Sequence, residues 1–404
     1  MNTVSNKLFA TVAFGFLMTL SSGFGQTFFI SLFNPQFRQE FNLSHGDIGG
    51  LYFLGTLLSA VTVIWSGKLI DQLNLKLYTG IVTTGLAIAC ITASIIQSAA
   101  MLVLAFFLLR LFGQGLSGHT GITTVSRTDA KYRGRCVSLA GLGYSAAEIV
   151  LPLATIWLIT AWGWRQTWSF FAIVELLVIA LIAQLLLRKI DIPGPSTFRI
   201  NKDPQSWARA QVIRDKRFWA IAPALFSPSI ISTALFFHQQ SLAESKGYSL
   251  AYWAAGITAY SICAVLTSLG TGVLVDRFSG ATMVRFFLVP IILAVLIATF
   301  LQMTWLPFIY YALIGATVGI GSPSVSALWL ELYGAQHIGA IRAMTHACMV
   351  FGTALGPFIF GYLLDAGVSW NSLLIASAIW LTMVSIPLIT TKLSWQEPNT
   401  DLAS

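Results

Sequence analysis

Charge is what this sequence has least of. Asp, Glu, Lys and Arg together make up 9% of its 404 residues, where a soluble globular chain carries roughly 25%. A surface that poor in charge is badly hydrated, so lipid must cover much of it. Cysteine is scarce as well. Cys90, Cys136, Cys263 and Cys348 each sit inside an apolar run, with no C-x-x-C spacing. That pattern excludes a disulfide framework or a zinc site of the usual kind and reads as buried, inert thiols. The chain also lacks an intramembrane H-E-x-x-H, a nucleophile elbow, paired aspartates and a Walker A loop. No enzymatic activity, no ATP-driven pump, no metal and no cofactor are therefore expected.

What the chain has in abundance is apolar sequence: 56% hydrophobic residues and a mean hydropathy of +0.76. A membrane-spanning helix takes about 20 apolar residues. Twelve such runs are predicted, at 8–33, 46–66, 77–98, 100–122, 136–159, 167–187, 218–240, 251–271, 281–301, 306–330, 339–363 and 370–391. The first follows Lys7, is too long for a signal-peptide core and has no A-x-A site behind it, so it reads as a span. Only helices or closed barrels satisfy every backbone group in lipid, and barrel strands would be half this length and alternating. The expected class is an all-α membrane protein of twelve transmembrane helices in two six-helix bundles, 1–187 and 218–404, joined by a connector at 188–217.

The net charge of +8 invites a nucleic-acid partner, but its placement argues against one. With the N-terminus in the cytoplasm, 19 of the 23 Lys and Arg fall on the cytoplasmic side; Arg38, Arg165 and Lys246 lie outside, and Arg110 lies within a span. That asymmetry is the positive-inside rule. It predicts a multi-pass protein of a bacterial inner membrane with both termini cytoplasmic, partnered by the bilayer and a small-molecule substrate, and monomeric. The connector carries eight basic residues and Pro193, Pro195 and Pro204. Within it, 205–214 reads as a short helix lying in the headgroup region.

An offset of 205 residues lays the first half on the second without a gap. Ser44 meets Ser249, Gly67 meets Gly272, Asp71 meets Asp276, Gly134 meets Gly339 and Pro152 meets Pro357. Both copies begin on the same side with six spans each, so the repeat is parallel, an arrangement that places a substrate site at the midplane between the halves.

These residues resemble the major facilitator superfamily along essentially the whole chain. Gly67-Lys68-Leu69-Ile70-Asp71, with Lys76 after it, is similar to the G-x-L-x-D loop signature between the second and third helices, and Gly272 to Arg277 repeats it. Asn74 stands where a glycine is usual and Leu75 where an arginine is usual. The resemblance implies a cytoplasmic gate made of Gly67, Asp71, Gly272, Asp276 and Arg342. In it Asp71 faces the start of helix eleven near Arg342, and Asp276 faces the start of helix five near Arg133 and Arg135. Arg110 to Gly118 is similar to the family's R-x-x-x-Q-G-x-G segment, and the stretch from Trp329 to Arg342 resembles a monocarboxylate-transporter-like bacterial branch. The fifth span lacks the paired glycines of the drug antiporters, which leans away from a multidrug exporter.

Besides histidine, Arg110, Glu148 and Glu175 are the ionisable residues well inside spans. Counting 1.5 Å per residue brings Arg110 and Glu148 near the midplane on neighbouring antiparallel helices, where charge is costly and usually functional. Glu148 and Arg110 are the expected proton-coupling pair, with Arg110 also meeting an anionic substrate. Glu175 is expected to be protonated or packed on a polar neighbour, because the sixth helix is peripheral in the family. Gln26, Tyr52, Tyr144, His238 and Gln239 complete the expected substrate-binding set. The function these readings imply is a proton-coupled carrier of a small organic solute, with an efflux carrier, a non-transporting sensor or a membrane-embedded enzyme as alternatives.

Overall fold

The computed structural model describes residues 2–128, 130–190, 207–334 and 337–394, and every regular element among them is helical. Eleven helices are long and apolar enough to cross a membrane: α1 (Asn6–Gly25), α2 (His45–Asp71), α3 (Leu75–Ser94), α4 (Ala99–Ser126), α5 (Tyr132–Trp162), α6 (Trp164–Leu187), α7 (Lys216–Phe237), α8 (Leu250–Phe278), α10 (Leu306–Tyr333), α11 (Ile338–Asp365) and α12 (Trp370–Thr390). The remaining predicted span contains a shorter helix, α9 (Val289–Phe300). The all-α membrane fold expected from the sequence is therefore the fold observed.

Two local departures have simple causes. The predicted span 281–301 is broken into a single turn at Gly280–Met283 and α9, because Pro290 has no N–H to offer the Phe286 carbonyl. That carbonyl instead accepts from Val289 N at 3.1 Å. The first apolar run, predicted to end at 33, leads directly into a further helix. Pro35 lies in the first turn of a helix, Asn34–Phe41, where a missing N–H costs nothing.

Contacts divide the chain into two compact units. Unit 1 is Met1–Thr197 with two short segments of the second half, Phe236–Gln240 and Pro357–Asp365; unit 2 is Phe198–Leu235, Ser241–Gly356 and Ala366–Ser404. Four of the spans start on serine caps that satisfy otherwise orphaned N–H groups. Ser44 forms a capping box with Asp47 at the start of α2, and Ser98, Ser249 and Ser369 cap α4, α8 and α12.

The 205-residue repeat reaches down to backbone angles. Ser44 and Ser249 are equivalent caps. Asn42 and Gly247 occupy the same left-handed position, with φ of 50° and 79°. Asn74 and Ser279 both cap the next helix through their side chains, although there the backbone differs, with φ of 81° at Ser279. At Asn74 φ is −58°, which explains why this chain needs no glycine there.

In unit 2, α8 and α10 run in close contact because Gly315 and Gly319 admit the backbone of Tyr260 and Ala264. The outward faces carry apolar stripes at helical spacing, such as Leu177, Leu181 and Leu185 on α6 with 62%, 58% and 45% exposure. That is the pattern of a lipid-facing surface.

The connector prediction is met only in part by the described residues, since 191–206 lie outside them. A one-turn helix does form at Arg209–Arg214. Its apolar neighbours face protein, however: Trp207 and Val212 are buried, and Trp207 N donates to the Tyr333 carbonyl at 2.9 Å.

Glu331 on α10 closes the loop side of unit 2 by accepting from Gly280 N at 2.6 Å and Ala281 N at 2.9 Å. A carboxylate on two N-terminal amides gains both hydrogen bonds and the helix dipole. Replacing Glu331 with Ala is expected to cost about 1–3 kcal/mol, and Gln about half of that. Thermal unfolding in detergent checks this, and equal melting for the two variants would contradict it.

Candidate functional site

The site forms where α1 loses its helix. Ser21 is the last residue of the regular α-helical stretch, Ser22–Gly25 is a 3₁₀ turn, and Gln26 is extended, with φ −82° and ψ 151°. Gly23 and Gly25 allow this break to be crowded from two sides. A Cβ on Gly23 would lie 2.7 Å from that of Ala147 and 2.9 Å from the Leu151 side chain, both on α5. Gly25 faces Gly113 of α4 so closely that a Cβ on Gly113 would lie 2.6 Å from the Gly25 backbone.

Arg110 fills the space beside that contact. It lies in the first turn of a π-helical segment, Leu109–Ser117, where the wider turn displaces side chains from the ordinary helical register. The residue is buried. Its Nη1 donates to the Gly25 carbonyl at 3.3 Å and to Thr27 Oγ1 at 3.4 Å. The Thr27 and Tyr52 hydroxyls are 2.7 Å apart, and the guanidinium lies 5.4 Å from the Tyr52 ring centre. The carbonyl freed by the break and the aromatic face thus help to offset the cost of a charge at this depth. Chemically, this places a planar cation with several donors beside hydroxyl groups, an arrangement suited to an anion.

Of the sequence-predicted residues, Arg110 and Tyr52 come together directly, and Gln26 adjoins them as the extended residue before Thr27. Glu148 lies half-buried on α5, between Ala147 and Leu151, which both close on the α1 break. Tyr144 packs its hydroxyl against Gly118 of α4.

His238 and Gln239 are placed elsewhere in unit 1. His238 Nε2 donates to the Pro357 carbonyl at 2.8 Å, and Gln239 Nε2 donates to Ser31 Oγ at 2.8 Å. The same end of the unit holds Asp365, which accepts from His45 N at 3.0 Å and Gly46 N at 2.6 Å. Phe237 bridges the two places by stacking near Tyr52, with ring centres 4.5 Å apart.

The expected gate residues are spread over both units. Asp71 ends a 3₁₀ turn begun by Gly67 and forms an ion pair with Arg127 at the end of α4. Gly272 lies within α8 with open space before it, while Asp276 and Arg342 are exposed in unit 2. Sequence reasoning missed Thr27, Gly25 and Arg127. Thr27 and Gly25 carry no signal of their own, because their roles follow from the break in α1.

Residues 15–345 match the family model described as Major Facilitator Superfamily. No curated relative matches the chain in sequence. In fold it is similar to a bacterial homologue of the human lysosomal transporter Spinster in its inward-facing, occupied conformation, with a TM-score of 0.74 and 14% identity over 96% of this chain and 97% of that one. It is also similar to the nucleoside transporter NupG, with a TM-score of 0.73 and 14% identity over 97% of this chain and 100% of that one.

Proposed function

Because the chain belongs to the Major Facilitator Superfamily, we propose that it is a secondary active transporter that moves a small organic anion, such as a carboxylate, by alternating access coupled to protons. The observation that carries this reading is Arg110, a buried cation beside the Tyr52 and Thr27 hydroxyls at the break in α1. An anion entering there gains charge-assisted hydrogen bonds in a region of low dielectric, where they are strong. Gln26 and Tyr144 extend the polar lining, and Glu148 supplies the group that exchanges a proton.

The coupling follows from charge. With Glu148 ionised, its negative charge competes with the substrate for the field of Arg110; with Glu148 protonated, the anion meets the cation unopposed. Proton and anion then bind together. The basic residues support a topology with both termini in the cytoplasm of an inner membrane, and in that topology Gly67 and Asp71 of unit 1, and Gly272, Asp276 and Arg342 of unit 2, are cytoplasmic gate residues. The reading is of a monomeric carrier.

The test is flux of a panel of small carboxylates into proteoliposomes with and without a pH gradient. Replacing Glu148 with Gln should abolish the response to the gradient while anion exchange between the two sides persists. A Glu148→Gln carrier whose uptake followed pH as the unmodified protein does would remove Glu148 from the mechanism. Equal flux in loaded and empty vesicles across the panel would remove the transport reading itself.

A further inference from the structure

The break in α1 has a second ionisable neighbour. Glu175 of α6 is fully buried, and like Arg110 it lies in a π-helical segment, here Val174–Ile179. These are the two π segments among the described residues, and each contains an intramembrane charge-bearing residue. Such bulges are retained where a helix must re-aim a side chain for a purpose, since they weaken the helix that carries them.

Glu175 reaches Ser21, the residue at which α1 stops being a regular helix. Ser21 Oγ lies 3.0 Å from one carboxyl oxygen and 2.9 Å from the other. Among the described residues no Lys, Arg or His is paired with Glu175. The two near-equal distances and the burial together favour the acid form. A serine hydroxyl has one hydrogen, which two carboxylate oxygens can share only as a weak bifurcated bond. A carboxylate would therefore hold its two oxygens with a single proton between them and the hydroxyl, and would bury a charge without a cation, at a cost of several kcal/mol. A carboxylic acid resolves both problems. Its O–H donates to Ser21 Oγ, and the Ser21 O–H donates back to the carboxyl C=O, closing a ring of two hydrogen bonds.

We propose that Glu175 is a proton-binding residue of this carrier, and that the proton it shares with Ser21 holds the broken stretch of α1 in the position that receives Arg110. Ser21 and Gly25 are four residues apart on that stretch. Glu175 grips one end, and Arg110 grips the other through the Gly25 carbonyl. When the stretch moves and water reaches the site, the carboxyl O–H breaks and its proton passes to water. The carboxylate left behind keeps a single hydrogen bond from Ser21, the ring is lost, and the stretch loosens. Rebinding a proton reverses each step. Of the titratable side chains on α3, the buried Cys90 is the one close enough to feel the charge of Glu175; Lys76 and Tyr78 lie toward the other end of that helix.

The inference rests on the transport reading for its purpose but not for its test, which needs no substrate. Full-length protein in nanodiscs is followed by infrared spectroscopy, where a protonated carboxyl has its own carbonyl band. That band should be present in the unmodified protein, lost in Glu175→Gln, kept in Glu148→Gln, and shifted in Ser21→Ala. Hydrogen exchange of the peptide covering 21–27 reads the consequence. Corrected for intrinsic rates, its protection should fall about tenfold from mildly acidic to mildly alkaline pH in the unmodified protein and stay constant in Glu175→Gln, whose amide remains neutral. Identical carboxyl bands in the unmodified protein and Glu175→Gln would overturn the proposal, as would the same pH-dependent loss of protection in both. A failure of Glu148→Gln to alter transport would leave these measurements unaffected, so the two readings fail separately.

Discussion

Arg110→Ala should abolish uptake of small anions while leaving a folded protein. The guanidinium is placed at the α1 break to meet a negative charge with several donors, and removing one partner of a buried charge interaction costs about 2–4 kcal/mol, or roughly 30- to 1000-fold in affinity. The fold pays a smaller amount. The Gly25 carbonyl, no longer inside a helix, loses the donor that reaches it at 3.3 Å, and Thr27 Oγ1 loses the one at 3.4 Å. An acceptor stripped of its donor costs about 1–3 kcal/mol. Arg110→Lys separates the two contributions. Lysine restores the charge as a point but not the planar fork that reaches a carbonyl and a hydroxyl together. It should recover stability more fully than it recovers transport. Flux in proteoliposomes and thermal melting of the same preparations check both halves, and an Arg110→Ala protein that moved anions at the unmodified rate would exclude the assignment.

The parts of this architecture that were readable from sequence are those that lipid dictates. Long apolar runs and a one-sided excess of Lys and Arg are demanded by the bilayer at every position, so span number, helical class and the repeat survive without any tertiary knowledge. Arg110 was readable for the same reason, since a charge inside an apolar run stands out. Its partners were not. The Gly25 carbonyl has no sequence signature, and the interruption at Ser22–Gly25 leaves the hydropathy of α1 undisturbed.

Glu175 shows the same limit from the other side. Its carboxyl was visible as an anomaly, but Ser21 lies 154 positions away and is one serine among many. His238 and Gln239 resembled binding residues because polar side chains near a helix end look alike in sequence, whether they face a substrate or a neighbouring carbonyl. Here the Pro357 carbonyl and the Ser31 hydroxyl take their donors. The split in the ninth span was legible in principle through Pro290. A proline inside a transmembrane helix usually bends it without ending it, as Pro152 and Pro357 illustrate inside α5 and α11.

Gly113→Ala should be a damaging single-methyl change in unit 1. The atoms a new Cβ would meet are the Cα and N of Gly25, both at 2.6 Å. Backbone cannot rotate away as the tip of a long side chain can, so α1 and α4 must separate. Forcing extra volume into a closed contact costs about 1–3 kcal/mol, and here the separation also carries the Gly25 carbonyl away from Arg110. Melting should fall by several degrees and anion flux should fall with it. Gly134→Ala and Gly339→Ala provide the comparison. These repeat-related glycines lie in helices, and a Cβ on either meets nothing within 4 Å. Alanine there should be neutral or stabilise by up to about 1 kcal/mol, because glycine gives up more chain entropy in a helix. All three variants add the same methyl group, so composition and helix propensity are matched and only the neighbour differs. Equal melting temperatures for Gly113→Ala and Gly134→Ala would mean that the approach of α1 to α4 does not hold the site together.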